Sequence, residues 1–540
     1  MPASWHWQGE VVCNNACILR AAAALDSPVV GELRPGTRVT AAEQVELSGG
    51  KARLHLVEPY EGWVTAKLVR PVDAGSAAAG SEAPETSSKS AGGPSRKVPG
   101  ADCDEVTDLL VPEGRHLRLY LISDIHIDHK ANSDWMMGCL GAREPDPQSY
   151  FDCLLLPGDI TNKEDLFEQS IGVLASAFDA VFFCFGNHDI WTRGERKGDP
   201  PAADSLQKLE RVHKVCQELG VYTSPVRLVQ QGKKALVLLP LWSWYHSSWD
   251  VEPDLPTELT PPIKPGSRVM DFRMCKWGAE IESKPGFKFG DDRGHTSTIV
   301  AEYFAARNEA WMQAVAKVAA DDSAEVITFS HFCPRIELVL EKRNCYDQQI
   351  AKVQGSDLLE KQIRRVVPQP KCHVFGHTHV GWDMVLDGLR YLHWPLGNPT
   401  ERQGQTRAQN DGGFLLLRDG DQWAPQQFQH WSYHYDYLGG ERVPGATDLA
   451  PWVTSGYART YPAMVPALEE HGLIKEPDPV NGYAAYFPGG AENNDLNWWS
   501  RHYGYNFRWR LPPSKLAPNA LPCEDPECLI CRHMKEHEVS

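Results

Sequence analysis

The sequence predicts an α/β fold preceded by a small all-β unit, and three observations carry that reading. Five apolar runs each close on a short cluster of Asp, Asn or His: LRLYLISDIHID, FDCLLLPGDI, AVFFCFGNHDIW, AEVITFSHFCPR and KCHVFGHTHVGW. Continuous apolar runs bounded by polar residues are the mark of strands buried on both faces. Helix-like stretches separate several of them, which implies βαβ units and a sheet covered on both sides. The first seventy or so residues differ, with short apolar runs broken by Gly, Pro and Asn.

Residues 1–72 contain VVCNNACILR, GELRPGTRVTAAEQVEL, ARLHLVEP and YEGWVTAKLVRPV. Short strands with turn residues between them suggest a small β-barrel. Gly62-Trp63-Val64 followed by Leu68-Val69-Arg70-Pro71, after an early Leu-Arg, resembles the bacterial-type Src-homology-3-like module; any other small β-domain is the alternative. Residues 73–104 are rich in Ala, Gly, Ser, Pro and Glu with almost no aliphatic bulk. Such a stretch cannot bury enough apolar surface to offset its ordering entropy, so it is expected to be a flexible linker.

One large domain is expected over 105–440. The stretch 204–219 opens on the cap candidate Asp204 and stops at Gly220, a helix signature. The stretch 301–319 places Phe304, Trp311 and Val315 near helical spacing. In such folds ligands bind beyond the carboxyl ends of the strands, where all five polar clusters sit. Residues 441–540 form an aromatic-rich extension whose stripe (Trp498, Trp499, Tyr503, Tyr505, Phe507, Trp509) is expected to pack against a neighbouring domain.

Composition bounds the function. A chain of 540 residues is too long for one core. With 54 Lys+Arg against 71 Asp+Glu the net charge is -17, which argues against broad binding to a nucleic-acid backbone. An anionic substrate stays open, because divalent ions reverse the field inside a small cleft. No apolar run approaches the roughly 20 residues of a membrane span, and MPASWHWQGE lacks the layout of a secretory signal. The 14 cysteines are scattered through apparent core strands, as in Cys153, Cys184 and Cys372, and read as reduced thiols. The expected location is cytoplasmic.

In order, the clusters are Asp124-x-His126, Gly158-Asp159, Gly186-Asn187-His188-Asp189, Ser330-His331 and Gly376-His377-Thr378-His379. Any one alone is weak, and a lone His after a strand is more often a hydrogen-bonded structural residue. All five, in this order and each after a strand-like run, resemble the calcineurin-like metallophosphoesterase superfamily over residues 117–380. The resemblance implies a four-layer α/β/β/α sandwich around a dinuclear metal centre. It also implies hydrolysis of phosphomonoesters or phosphodiesters by a metal-bridging hydroxide.

The residue types fit that chemistry. Asp, His and Asn supply oxygen and nitrogen ligands suited to Mn, Fe or Zn, and a two-metal site needs a shared carboxylate. By motif, the first metal takes Asp124, His126, Asp159 and His379, and the second takes Asp159, Asn187, His331 and His377. The glycines before Asp159, Asn187 and His377 are expected to let the chain turn sharply as each strand ends. The resemblance implies that His188 stands outside the metal shell, near the scissile phosphate, with Asp189 placed to orient it.

Departures from the pattern limit the substrate. The second block reads GDITNKED and the third GNHD, against GDxxDRG and GNHE in the protein Ser/Thr phosphatases, and no Tyr follows Gly158-Asp159 closely, as a purple acid phosphatase would require. Residues 241–300, with Trp242, Trp244, Tyr245, His246, Lys276, Trp277, Lys284 and Lys288, form either an aromatic substrate wall or a packed cover for the sheet edge. Arg193, Arg335 and Arg402 are candidates for a substrate phosphate or for structural ion pairs. Cys523, Cys528, Cys531 and His533 are ligand types for a structural zinc ion, with solvated or redox-active thiols as the other reading. A phosphoester substrate is the expected partner, and the N-terminal β-domain offers a surface for a protein partner. The competing classes are a catalytically silent scaffold or regulatory binding protein, which missing ligands would mark, and a nucleic-acid-processing enzyme.

Overall fold

A computed structural model describes seven strands between residues 9 and 71 and, with short interruptions, residues 98–473; the longer interruptions are 262–268, 402–412 and 430–441. The expected linker 73–104 for the most part, Arg402, and everything beyond 473, including the aromatic stripe and the Cys523–His533 cluster, lie outside the described residues. The chain divides into two compact units, 1–91 and 92–540, so the division falls inside the expected linker.

The first unit is all-β. Its strands are β1 (Gly9–Cys13), β2 (Cys17–Arg20), β3 (Val29–Leu33), β4 (Arg38–Leu47), β5 (Lys51–Glu58), β6 (Gly62–Thr65) and β7 (Val69–Pro71). They pair antiparallel in the order β3-β2-β6-β5-β4-β1-β7. Leu54 and Leu56 are buried while His55 between them is not, the period-two pattern of a half-buried strand. His55 pairs across the ladder with Trp63 and stacks on it at 4.7 Å.

The second unit holds two mixed sheets. Its strands are β8 (Thr107–Leu110), β9 (His116–Leu121), β10 (Tyr150–Leu156), β11 (Ala180–Phe183), β12 (Val226–Val229), β13 (Leu236–Pro240), β14 (Glu325–Phe329), β15 (Cys372–Phe375), β16 (Trp382–Leu386), β17 (Leu389–His393), β18 (Leu415–Asp419) and β19 (Gln422–Trp423). One sheet runs β11-β10-β9-β18-β19, the other β16-β17-β15-β14-β13-β12-β8. Strands β9, β10 and β11 are mutually parallel, as are β13, β14, β15 and β17. The runs of β10, β11, β13, β14 and β15 are buried almost throughout, whereas β9 alternates buried Leu117, Leu119 and Leu121 with the more exposed His116, Arg118 and Tyr120; in β10, Leu154, Leu155 and Leu156 are all fully inside, each worth roughly 1.5–3 kcal/mol.

Helices cover the sheets. Glu164–Ala177 packs on β11, and Ile299–Asp322 packs on β13. Ser205–Glu218 starts where the sequence places it: the Asp204 carboxylate accepts the Gln207 amide at 2.8 Å, and the Gln207 side chain accepts the Ala203 amide at 2.8 Å. No helix among the described residues is long and apolar enough to cross a membrane. The nine described cysteines are thiols.

One boundary moves. Leu449, Val453, Tyr457, Met464 and Leu468 are buried in the same apolar core as the two sheets. The packed domain therefore runs past residue 440, because a Pro- and Gly-broken stretch hid enough apolar residues to join the core.

Candidate metal centre

The carboxyl ends of two parallel strand sets meet at one point. Asp124 and His126 follow β9, Asp159 follows β10, Asn187 and His188 follow β11, His331 follows β14, and His377 and His379 follow β15. The ends are tied together by backbone. The Ser123 amide donates to Trp394 O at 3.1 Å, the Gly397 amide donates to Asp124 O at 2.9 Å, and the His377 amide donates to the Asp124 carboxylate at 2.8 Å.

Five of the expected ligands, Asp124, His126, Asp159, His377 and His379, have positive φ, between 45° and 77°. The left-handed region is costly for side chains other than Gly. Its concentration here shows a backbone bent so that successive strand ends aim inward. Gly158 shares it, with φ +81°, as the sequence predicts. Gly186 and Gly376 do not, and their reason is space. A Cβ on Gly186 would overlap the Asp159 carboxylate and sit 2.7 Å from His331 Cε1; on Gly376 it would sit 2.8 Å from Pro157 O.

The side chains gather into two groups that share Asp159: Asp124, His126, Asp159 and His379, and Asp159, His331 and His377. Asn187 joins the second, its Oδ1 lying 3.0 Å from both His331 Nε2 and His377 Nδ1. This is the partition the motifs imply. In the first group, His126 Nε2 and His379 Nε2 are 2.8 Å apart, and His379 Nε2 is 3.7 Å from Asp124.

The donor set fits two divalent cations. Asp124 and Asp159 are buried, and their ion pairs are with histidines: Asp124 with His379 and with His393 at 3.0 Å, Asp159 with His126 at 3.8 Å and His331 at 3.4 Å. Buried carboxylates are costly without compensating charge. Burial would lower the pKa of His331 and His379, but Asp159 beside the one and Glu401 beside the other raise both to about 9. The two carboxylates thus draw positive charge to the site, which divalent ions can supply in place of those protons, through oxygen and nitrogen ligands suited to Mn, Fe or Zn.

Three of the four ligand-group imidazoles, those of His331, His377 and His379, are oriented by the far nitrogen. His331 Nδ1 faces Pro157 O at 2.8 Å and His377 Nε2 faces Val353 O at 2.9 Å. His379 Nδ1 meets the Glu401 carboxylate at 2.7 Å, and His393 Nε2 meets Asp124 Oδ2. Such outer partners fix ring orientation and ligand basicity. Glu401 and His393 escaped the sequence reading. His393 had a signal: the run GLRYLH is one more apolar strand closed by a histidine. Glu401, 22 residues beyond His379, had none.

His188 stands at the edge of the ligand groups. Its amide donates to Asp159 Oδ1 at 2.9 Å, its ring stacks on Trp191 at 3.8 Å, and it meets His126 edge-on at 4.6 Å. Burial pushes its imidazole down to about 3.

Asp189 departs from expectation. It does not orient His188; its carboxylate accepts four backbone amides, Asp159 and Gly186 on Oδ2 and Ile160 and Thr161 on Oδ1, at 2.8–3.2 Å. Burial, then the Asp159 charge, raise its pKa to about 7 against those amides. Asp189 therefore clamps the loop that carries Asp159 to the loop that carries Asn187. Asp189→Asn turns an NH₂ toward backbone donors and is expected to cost about 2–3 kcal/mol. A drop of several degrees in the thermal midpoint would show it; an unchanged midpoint would count against the clamp.

Of the two readings of residues 241–300, Trp244 and Tyr245 fit the packed cover. Trp244 and Tyr245 are fully buried. Trp244 packs among Trp277, Phe304 and Phe332, and the Tyr245 ring lies against His377 at 6.2 Å. They form the packed cover, with no face left for a substrate. Arg335 is a structural ion pair, bound to Glu337 at 2.7 Å and to Asp387.

Comparison with known proteins agrees with the site. Residues 117–260 match the calcineurin-like phosphoesterase family. Over 140 residues the chain is 29% identical to the acyl-carrier-protein phosphodiesterase PptH of Mycobacterium tuberculosis, a match that covers 25% of this chain and 40% of that protein's length. Among solved structures, the phosphopantetheinyl hydrolase PptH of M. tuberculosis aligns with a TM-score of 0.41 at 19% identity, over 58% of this chain and 99% of that one. A putative 5'-nucleotidase of Staphylococcus aureus aligns with a TM-score of 0.22 at 11% identity, over 52% and 48%. The strand ends that bear Asp124, His126, Asp159, Asn187 and His188 lie within the segment that matches the calcineurin-like phosphoesterase family.

Proposed function

We propose that this chain is a metal-dependent phosphoesterase. The observation that carries the reading is the pair of ligand groups sharing Asp159, with none of the seven expected ligands displaced. A silent scaffold would be marked by a missing ligand. Divalent ions held there would supply Lewis acidity toward a phosphoryl oxygen and an activated water near neutral pH.

The protein's own part is to hold that arrangement and to meet the substrate with His188. The neutral imidazole, fixed on Trp191 beside both groups, donates an N–H hydrogen bond to a phosphoryl oxygen. His188→Gln should retain bound metal and lose about 10²–10³-fold in kcat. Wild-type turnover by that variant would remove the role.

For the substrate, the similarity to an acyl-carrier-protein phosphodiesterase favours a phosphodiester, and specifically a protein-linked phosphopantetheinyl ester. Incubation with holo acyl carrier protein, followed by intact mass, tests it. Loss of the phosphopantetheinyl mass, abolished by EDTA, supports the assignment; an unchanged mass beside active hydrolysis of small diesters excludes it. The N-terminal sheet is read as a barrel-like module of the bacterial SH3 type that contacts a protein partner, and the location as cytoplasmic.

A further inference from the structure

Asp271 belongs to none of the five motif blocks and lies beyond the matched segment, in the short helix Asp271–Met274. It is buried, and it spends both oxygens on three neutral donors. Oδ1 accepts Asn187 Nδ2 at 2.9 Å and Trp191 Nε1 at 2.7 Å, and Oδ2 accepts the Tyr245 hydroxyl at 3.0 Å. Each donor belongs to a residue that reaches the centre. Asn187 presents its other amide atom, Oδ1, to His331 and His377. Trp191 is the plate under His188, and Tyr245 lies against the His377 ring.

A primary amide has one ligating end. Flipped by 180°, Asn187 would turn an NH₂ toward the cation, and nothing in its own torsional preference forbids that. A carboxylate accepts and never donates, so it holds the nitrogen end and leaves the oxygen facing the second group. We propose that Asp271 is a positioning residue for the second metal ion, fixing the Asn187 amide oxygen-inward while it holds Trp191 beneath His188. The proposal rests on the two-ion reading of the site. It differs from that reading in being specific to one ion: Asp271 contacts a ligand of the second group and none of Asp124, His126 or His379.

The test is Mn²⁺ binding by the full chain, followed by calorimetry and by electron paramagnetic resonance of the spin-coupled pair. Wild type is expected to bind two ions. D271L, of similar shape but with no acceptor, should keep the first with unchanged affinity and bind the second at least about tenfold more weakly, as loss of an outer-shell partner does. Tyr245→Phe removes one donor to Asp271, leaves Asn187 anchored, and should keep both ions. The exchange N187D/D271N puts the acceptor on residue 187 and the donor on residue 271, and should recover most of the second-site affinity lost in N187D. If D271L does not fold, the exchange measured against N187D alone gives the same test, since N187D sets two carboxylates face to face.

Second-site affinity unchanged in D271L, equal weakening of both ions, or an exchange variant no better than N187D would each overturn the proposal. The readout does not depend on turnover. Two ions bound in this pattern by a chain that hydrolyses no ester would support Asp271 and refute the phosphoesterase; a wild type that binds one ion would overturn both.

Discussion

Replacing Asp159 by Asn is expected to abolish hydrolysis, with kcat/KM falling at least about a thousandfold, or roughly 4 kcal/mol of barrier. Asp159 is the one residue common to both ligand groups. Its carboxylate also accepts the His188 amide at 2.9 Å and lies 3.4 Å from His331 and 3.8 Å from His126. Asn keeps the shape and removes the charge, so both ions should weaken together. That separates Asp159 from Asp271, whose loss should weaken one. Metal content by mass spectrometry beside steady-state kinetics checks the point; retention of two ions and of more than a tenth of the rate would contradict it.

Gly186→Ala should be nearly as severe, although it adds a single methyl group. Gly186 does not sit at positive φ, so Ala carries no backbone penalty there and would ordinarily stabilise slightly through the unfolded chain. The added Cβ has no room, because it overlaps the Asp159 carboxylate and lies 2.7 Å from both Asp159 N and His331 Cε1. None of these is the free end of a flexible side chain, and both residues are held by the Asp189 clamp and the Pro157 carbonyl. Relief requires moving the bridging carboxylate or the His331 ring by a few tenths of an ångström or more. The expected result is about a hundredfold loss of activity with weakened metal binding, together with about 1–3 kcal/mol of lost stability. Wild-type kinetics in Gly186→Ala would show that the close approach is not maintained in solution.

The centre was legible in the sequence because its ligands stand where a buried strand stops. Strands β9, β10, β11, β14 and β15 each end on apolar residues, so the first Asp, Asn or His after each run marks both the strand end and the proposed ligand. Spacing along the chain then lost its meaning: residues 253 positions apart, Asp124 and His377, share a hydrogen bond. What could not be read was the direction of each side chain and the identity of the outer partners. Asp189 follows His188 directly, yet points into four amides. Trp244 and Tyr245 follow β13 like the ligands follow their strands, yet fold inward. Asp271 and Glu401 lie outside the apolar strand runs, in short segments whose composition carries no signal, and only the fold brings them to the site. The chain from 449 to 468 joined the core through scattered apolar residues with no periodic pattern to reveal it.

The most direct test is hydrolysis of bis(4-nitrophenyl) phosphate and 4-nitrophenyl phosphate by the purified full chain, titrated with Mn²⁺, Zn²⁺ and Fe²⁺ beside Asp159→Asn. A dinuclear phosphoesterase gives turnover that rises to a plateau at two equivalents of metal, is stripped by chelation and is absent from the variant. Two bound ions with no turnover of either ester, or turnover that persists in Asp159→Asn, would contradict it.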